Sequence, residues 1–194
     1  KLRKSAQEFP VVMLTGPRQS GKTTLAKTTF PKKAYVSLED PDEREFATLD
    51  LRGFLDRFKT GVIIDEAQHA PTLFSYIQTR VDQSQSMGNF ILTGSYNFLQ
   101  LKKISQSLAG RAAIVNLLPR SYSEIKTTSH RTSDPFSLIH QGFYPRLYEQ
   151  KIDISQWHKS YINTYLERDV RQVKNVLDLS KFQLFLRLCA GRIG

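Results

Sequence analysis

A glycine-rich stretch near the start of the chain has the residue types and the spacing that bind phosphate. It reads Gly16, four residues, then Gly21, Lys22 and Thr23. Glycines let the backbone turn tightly so that successive N–H groups point at a phosphate, the lysine bridges phosphate oxygens, and the threonine hydroxyl can ligate Mg²⁺. The alternative is a glycine turn with a surface lysine. The predicted nucleotide contacts are Gly16, Pro17, Arg18, Gln19, Ser20, Gly21, Lys22, Thr23 and Thr24.

Two adjacent carboxylates, Asp65 and Glu66, follow the β-branched run at 62–64. A strand that is apolar throughout is buried on both faces, so the two carboxylates fall at the C-terminal edge of a parallel sheet, where α/β proteins bind ligands. We predict that Asp65 holds Mg²⁺, directly or through water, and that Glu66 polarises the water that attacks a γ-phosphate. The alternative for the pair is an acidic turn after a strand.

Three further residues are candidates for the same chemistry. Thr93 and Ser95 end another apolar strand, where a polar side chain can contact the attacking water or the γ-phosphate, although Ser95 fits a plain turn equally well. Arg111 precedes the fifth predicted strand. An arginine there can stabilise transition-state charge in its own site or in that of a neighbouring subunit. The other interpretation of Arg111 is a surface or salt-bridged residue.

The elements that must position these residues follow an α/β pattern. Apolar runs predict five strands, and the segments between them have the periodicity of helices. Asp40 and Pro41 are typical of an N-cap and a first helical residue. Around Pro119 we place a domain boundary, with an α/β domain over 1–119 and a helical C-terminal region over 120–194. The predicted strands lie at 11–15, 34–38, 61–66, 90–95 and 112–118.

The composition is that of a folded, basic protein. Of the 194 residues 40% are hydrophobic, which is enough to bury a core, and the formal net charge is +10. That charge favours polyanionic partners, whether nucleotide phosphates, nucleic acid or an anionic membrane face. In the helix predicted over about 153–173, aromatic residues interleaved with basic ones either stack on nucleobases or pack in a core.

The cysteine count bears on the cellular compartment, and the length of the apolar runs bears on membrane insertion. The single cysteine, Cys189, excludes an intramolecular disulfide and fits a reducing cytoplasm. The apolar runs are far shorter than the roughly 20 residues that span a bilayer, so we expect no membrane insertion. The chain begins without Met and ends at Gly194, from which we expect a fragment of a longer protein.

Taken together, these motifs resemble an AAA-type ATPase of the bacterial and archaeal group in which the ATPase domain precedes a C-terminal domain of unknown function. Besides the phosphate loop, the acidic pair and the end of the fourth strand, Gly142-Phe143-Tyr144-Pro145 also matches that group. The narrower matches are Ala109-Gly110-Arg111 and Tyr165-Leu166-Glu167-Arg168-Asp169. The resemblance implies a P-loop NTPase fold, with a parallel five-stranded sheet in the order 5-1-4-3-2 flanked by helices. It also implies the site roles given above for Lys22, Thr23, Asp65, Glu66, Thr93 or Ser95, and Arg111.

The expected function is Mg²⁺-dependent hydrolysis of ATP by a nucleotide-dependent switch or small motor. ATP and ADP are the expected ligands, and a homo-oligomer and a DNA or protein partner are possible. One alternative is a binding module that holds ATP with little turnover while its basic surface engages DNA or a protein. A small-molecule kinase is the third candidate, since kinases use the same loop, but the Asp65-Glu66 pair favours water activation over transfer to an acceptor.

Overall fold

The computed structural model describes residues 1–84, 86–95, 108–127, 134–165 and 179–192. Five parallel strands form one sheet, in the spatial order β2-β3-β4-β1-β5. This is the predicted order 5-1-4-3-2, so the α/β prediction is confirmed. The strands are β1 (Val11–Thr15), β2 (Ala34–Ser37), β3 (Val62–Asp65), β4 (Phe90–Gly94) and β5 (Ala112–Asn116).

The described helices connect and cover these strands. The third helix begins as its sequence predicts, because Asp40 caps it by accepting from the backbone N–H of Asp42 and Glu43. The sixth helix begins with a capping box formed by Ser121 and Glu124. The helices are α1 (Leu2–Glu8), α2 (Lys22–Thr29), α3 (Pro41–Leu49), α4 (Leu51–Asp56), α5 (Leu73–Gln83), α6 (Tyr122–Lys126), α7 (Pro135–Gln141), α8 (Arg146–Glu149), α9 (Ile154–Tyr165) and α10 (Leu179–Ala190).

The core consists of two clusters that take alternate residues of the strands. In β1, Val11 and Met13 belong to one cluster, whereas Val12 and Leu14 belong to the other. Successive side chains of a strand point to opposite faces, so the two clusters lie on the two faces of the sheet. The sheet is therefore covered on both sides, as a parallel sheet requires.

The alternation also decides which polar side chains share a face at the C-terminal edge of the sheet. Ile63 of β3 and Ile91 of β4 belong to the cluster that contains Ala26 of α2. Asp65 and Thr93 follow two residues later in the same strands, so both lie on the face that α2 covers. The helix that begins at Lys22 thus packs on the face that carries Asp65.

The chain divides into two compact units. The first comprises Lys1–Arg131 with Phe143–Arg146, and the second comprises Thr132–Gly142 with Leu147–Gly194. The boundary near Pro119 stays a prediction. Two predicted features lie outside the described residues, namely residues 104–107 of the helix predicted through 104–108 and the charged part of the long helix at 167–171. Among the described helices, none has the length and apolar character needed to cross a membrane.

Candidate functional site

The glycine-rich loop, residues 16–23, connects β1 directly to α2. Three of its residues have positive φ, Gly16 at 148°, Gln19 at 60° and Gly21 at 91°, and Gly21 is the N-cap of α2. Left-handed residues between right-handed ones turn successive N–H groups to one side, which makes an anion-binding concavity, and the N-terminus of α2 adds its positive dipole end there. The loop thus has the backbone form that the glycine spacing predicted.

Gly16 is required at its position by close packing as well as by its backbone. Its φ is +148°, and a Cβ at this position would collide with the carbonyl oxygen of Leu117. Leu117 is held there because its N–H donates to the carbonyl of Thr15 over 2.8 Å. The obstacle is backbone rather than a flexible side chain, so it cannot move aside without disturbing β5.

We predict that Gly16→Ala lowers the free energy of unfolding by about 3 kcal/mol, the sum of backbone strain and overpacking. Chemical denaturation of the two proteins measures this difference. Gly110→Ala is the matched control, because Gly110 also has a positive φ of +74° but no heavy atom of the part of the chain that the structure describes lies within 4 Å of a Cβ added there. A Gly16 variant no less stable than the Gly110 variant would contradict the packing explanation.

The ammonium group of Lys22 is directed into the loop. Lys22 Nζ donates to the carbonyl oxygens of Gly16 at 3.1 Å and Pro17 at 2.7 Å, and the side chain is buried. Two hydroxyls nearby, those of Thr15 and Ser20, are buried and have no hydrogen-bond partner among the described residues. Buried polar atoms without partners are uncommon in proteins. A buried cation, inward backbone N–H groups and unpaired hydroxyls together fit a polar anionic ligand such as a nucleotide phosphate.

Asp65 is the centre of a cluster of hydroxyl groups. Thr23 Oγ1 donates to it at 2.9 and 3.1 Å, the Tyr35 hydroxyl donates at 3.0 Å, and Thr93 Oγ1 also donates to it. Asp65 and Thr93 are buried. Carboxylate and hydroxyl oxygens are the ligands that suit Mg²⁺, so the donor set of Thr23 and Asp65 fits this cation.

Glu66 lies next to this cluster in an unusual backbone conformation. Its φ is 52°, in the left-handed region, and it caps the short 3₁₀ turn Ala67–His69. The Nε2 of Gln68 donates to its carboxylate. The carboxylate oxygens of Glu39 and Glu66 and a ring nitrogen of His69 lie within 4.8 Å of one another. A left-handed backbone in a residue other than glycine is costly, and it directs the chain of Glu66 away from the line of β3.

The remaining predicted residues lie in different places. Ser95 follows β4 directly and is partly exposed, whereas Thr93 points at Asp65. Thr24 is exposed on α2. Arg111 precedes β5, whose first residue pairs with Val11 at the start of β1. Arg111 is therefore at the opposite end of the sheet from the loop, separated by the length of β1, about 13 Å at roughly 3.3 Å per residue.

Arg111 forms a bidentate ion pair on α5. Its Nε and one terminal nitrogen donate to the two carboxylate oxygens of Asp82 at 2.5 and 2.9 Å. The pair lowers the pKa of Asp82 through the hydrogen bond from Arg111 and raises the pKa of Arg111 correspondingly. Both side chains are partly exposed, so the pair fixes the direction of the guanidinium more than it stabilises the fold.

Three contact residues were not predicted: Tyr35, Gln68 and Asp82. Tyr35 is in β2, where burial and the neighbouring Asp65 carboxylate raise its pKa to about 12, so its hydroxyl is a donor at neutral pH. Only the predicted strand order could have indicated the contact of Tyr35 with Asp65, because that order places β2 next to β3. No sequence spacing predicts the contacts of Gln68 and Asp82. The contact of Gln68 with Glu66 depends on the 3₁₀ turn, and the contact of Asp82 with Arg111 depends on how α5 packs.

The first unit also includes a short segment from late in the sequence, Phe143–Arg146. The N–H of Arg120 donates to the carbonyl of Phe143 over 2.9 Å. A Cβ placed on Gly21 would be 3.9 Å from the Cγ of Pro145. Pro145 therefore borders the glycine-rich loop, within the stretch 142–145 on which the family resemblance partly rests.

Fold and site together define a P-loop nucleotide-binding protein: a parallel sheet of order 5-1-4-3-2 with the Gly-Lys-Thr loop directly after β1. The chain belongs to the AAA domain family, whose model matches residues 8–126. A second model, Domain of unknown function (DUF8612), matches residues 132–194. These matches confirm the resemblance to AAA-type ATPases that carry a C-terminal domain of unknown function, and this fold supports nucleotide binding.

Similar proteins include two mycobacterial sequences and one solved structure. The uncharacterized proteins Mb2031c of Mycobacterium bovis and Rv2008c of Mycobacterium tuberculosis are each 33% identical over 181 residues, which cover 89% of this chain and 39% of theirs. The chain therefore spans about two fifths of the length of these relatives. The Walker-type ATPase paby2304 of Pyrococcus abyssi matches with a TM-score of 0.50 and 16% identity, over 89% of this chain and 72% of that one, which supports the fold.

Proposed function

We propose that this protein hydrolyses ATP with Mg²⁺ and acts as a nucleotide-dependent switch or small motor. The observation that carries the proposal is the convergence of Thr23 and Asp65 at one end of the loop that holds the buried Lys22. A phosphate chain on the loop would place its terminal phosphate beside this oxygen cluster, where a cation stabilises the charge that develops in phosphoryl transfer.

Each residue has a proposed role. The N–H groups of the loop and Lys22 bind the β- and γ-phosphates, and Thr23 with Asp65 holds Mg²⁺. Glu66 accepts the proton of the attacking water. Thr93, whose hydroxyl donates to Asp65, fixes that carboxylate, so Ser95 is the better candidate for contact with the γ-phosphate or the water. We also propose the ATPase domain over 1–119, a helical region over 120–194, and a cytoplasmic location.

Phosphate release from ATP tests the proposal directly. We expect release that depends on Mg²⁺ and yields only ADP and inorganic phosphate, with no phosphorylated acceptor. Analysis of the products by mass spectrometry detects a phosphorylated small acceptor, which would indicate a kinase instead. Retained ATP binding with background release, even with DNA and at concentrations that favour oligomers, would indicate the binding module.

Arg111 has a proposed role in a neighbouring subunit. Because it is at the far end of β1 from its own loop, and Asp82 holds its guanidinium at that end, it would act on the nucleotide of the next copy in a homo-oligomer. Head-to-tail contact of identical chains brings one end of the sheet of one copy to the other end of its neighbour. The proposal rests on the position of Arg111, which is too far from the loop of its own chain for a role in cis.

We predict complementation between two inactive variants. Lys22→Ala lacks the loop cation and Arg111→Ala lacks the arginine, and in a random 1:1 mixture roughly one interface in four joins an intact loop to an intact arginine. Phosphate release by the mixture should recover to about a quarter of the unmodified rate. Arg3→Ala, which removes an exposed arginine of α1, serves as the matched control and should be active alone. No recovery in mixtures that form mixed oligomers would contradict action in trans.

A further inference from the structure

Tyr35 connects the edge strand of the sheet to the proposed Mg²⁺ site. It lies in β2, and its hydroxyl donates to Asp65 Oδ2 over 3.0 Å. In the sheet register Tyr35 is opposite Ile63 and Ser37 is opposite Asp65. Tyr35 is therefore the diagonal neighbour of Asp65 on the same face, a distance that an aromatic side chain spans.

The ring of Tyr35 contacts α2, the helix that follows the loop. Lys27 Nζ lies 3.3 Å from the centre of the ring, a cation–π contact, and Lys27 is one helical turn after Thr23. Tyr35 thus contacts α2 through its ring and β3 through its hydroxyl. Those are the two elements that carry the proposed metal ligands, Thr23 and Asp65.

The hydroxyl donors are distributed over both oxygens of the carboxylate. Oδ1 accepts from Thr93 and Thr23, and Oδ2 accepts from Tyr35 and Thr23. Thr93 therefore fixes Oδ1 and Tyr35 fixes Oδ2. Each carboxylate oxygen offers about two lone-pair sites, so one per oxygen remains toward Thr23. Without the Tyr35 donor, Oδ2 would keep only the contact to Thr23 among the described residues.

We propose that Tyr35 is a positioning residue for the Mg²⁺ site, holding Asp65 in the orientation in which each carboxylate oxygen directs one lone pair toward Thr23, the other proposed ligand. The inference rests on the proposed function, because it assigns Tyr35 a role through the same carboxylate. Partners that hydrogen-bond a metal-ligating carboxylate typically contribute 10- to 100-fold to metal affinity or activity. The carboxylate of this site retains the Thr93 contact, so the lower figure is the expected one.

Tyr35→Phe tests the inference, because it removes the hydroxyl and keeps the ring over which Lys27 lies. We expect the Mn²⁺ concentration that half-saturates the ADP-bound protein, measured by electron paramagnetic resonance, to rise about tenfold. ADP affinity in the presence of EDTA should be unchanged, and so should the thermal unfolding midpoint. A general structural defect would alter those two quantities as well. Tyr76→Phe, an exposed tyrosine of α5, is the matched control.

Asp65→Asn separates failure of this inference from failure of the proposed function. Loss of Mn²⁺ binding in Asp65→Asn with unchanged binding in Tyr35→Phe would overturn the role of Tyr35 alone. Unchanged binding in both variants would overturn the metal site itself. Weakened Mn²⁺ binding in Tyr35→Phe accompanied by an equal loss of metal-free ADP affinity would also count against a positioning role, since the defect would then lie in the loop.

Discussion

Replacing Glu66 by glutamine is expected to leave ATP binding intact and to lower the rate of phosphate release by about 10²- to 10⁴-fold, the usual contribution of a general base. Glutamine has nearly the same shape and keeps an oxygen that can accept the hydrogen bond from Gln68, but it cannot take a proton from water. Steady-state phosphate release and equilibrium binding of ATP, measured on the same preparation, separate the two effects.

Glu39→Gln is the matched control for this substitution. Glu39 is an exposed glutamate whose carboxylate lies within 4.8 Å of the carboxylate of Glu66, so the variant removes the same charge from the same region. Its phosphate release should stay within about a factor of two, because exposed charges interact weakly. If both variants lost activity equally, local charge rather than proton transfer would be responsible. Equal release by Glu66→Gln and the unmodified protein would rule out Glu66 as the base.

The sheet was predictable because its strands carry strong local signals. The apolar runs before the loop and before Asp65 are short, rich in β-branched residues and typical of strands buried on both faces, and parallel strands align their C-terminal ends. The juxtaposition of Thr23 with Asp65 follows from those two facts and from the strand order implied by the family resemblance. Composition alone contains no information about that order.

Contacts that depend on strand register or on tertiary packing could not be predicted from the sequence. The bond from Tyr35 to Asp65 requires β2 and β3 to pair with Ser37 opposite Asp65, and a shift of one residue would have turned Tyr35 to the other face. The pairing of Arg111 with Asp82 requires the packing of α5 near the start of β5. The position of Arg111 itself was available, because a residue that precedes a parallel strand lies at the edge opposite the ligand site.

Lys22→Ala is the prediction that separates specific nucleotide binding from general attraction of anions. The buried ammonium of Lys22 lies within hydrogen-bond distance of two loop carbonyls, at the centre of the proposed phosphate site. Charge-assisted hydrogen bonds to phosphate contribute up to about 3 kcal/mol, so the substitution should weaken ATP binding by roughly a hundredfold or more and abolish hydrolysis at ordinary ATP concentrations. Fluorescence titration with a labelled ATP analogue measures the affinity.

The control is Lys32→Ala, which removes the same charge from an exposed position after α2. A net charge of +10 attracts any polyanion, and that attraction is weakened almost equally by the loss of any one surface lysine. Binding that depends on the loop falls only in Lys22→Ala and is retained at high salt, since a buried contact is screened much less than an exposed one. Equal and salt-sensitive losses in both variants would mean that the nucleotide is bound by the basic surface, and the roles of Thr23, Asp65 and Glu66 would lose their basis.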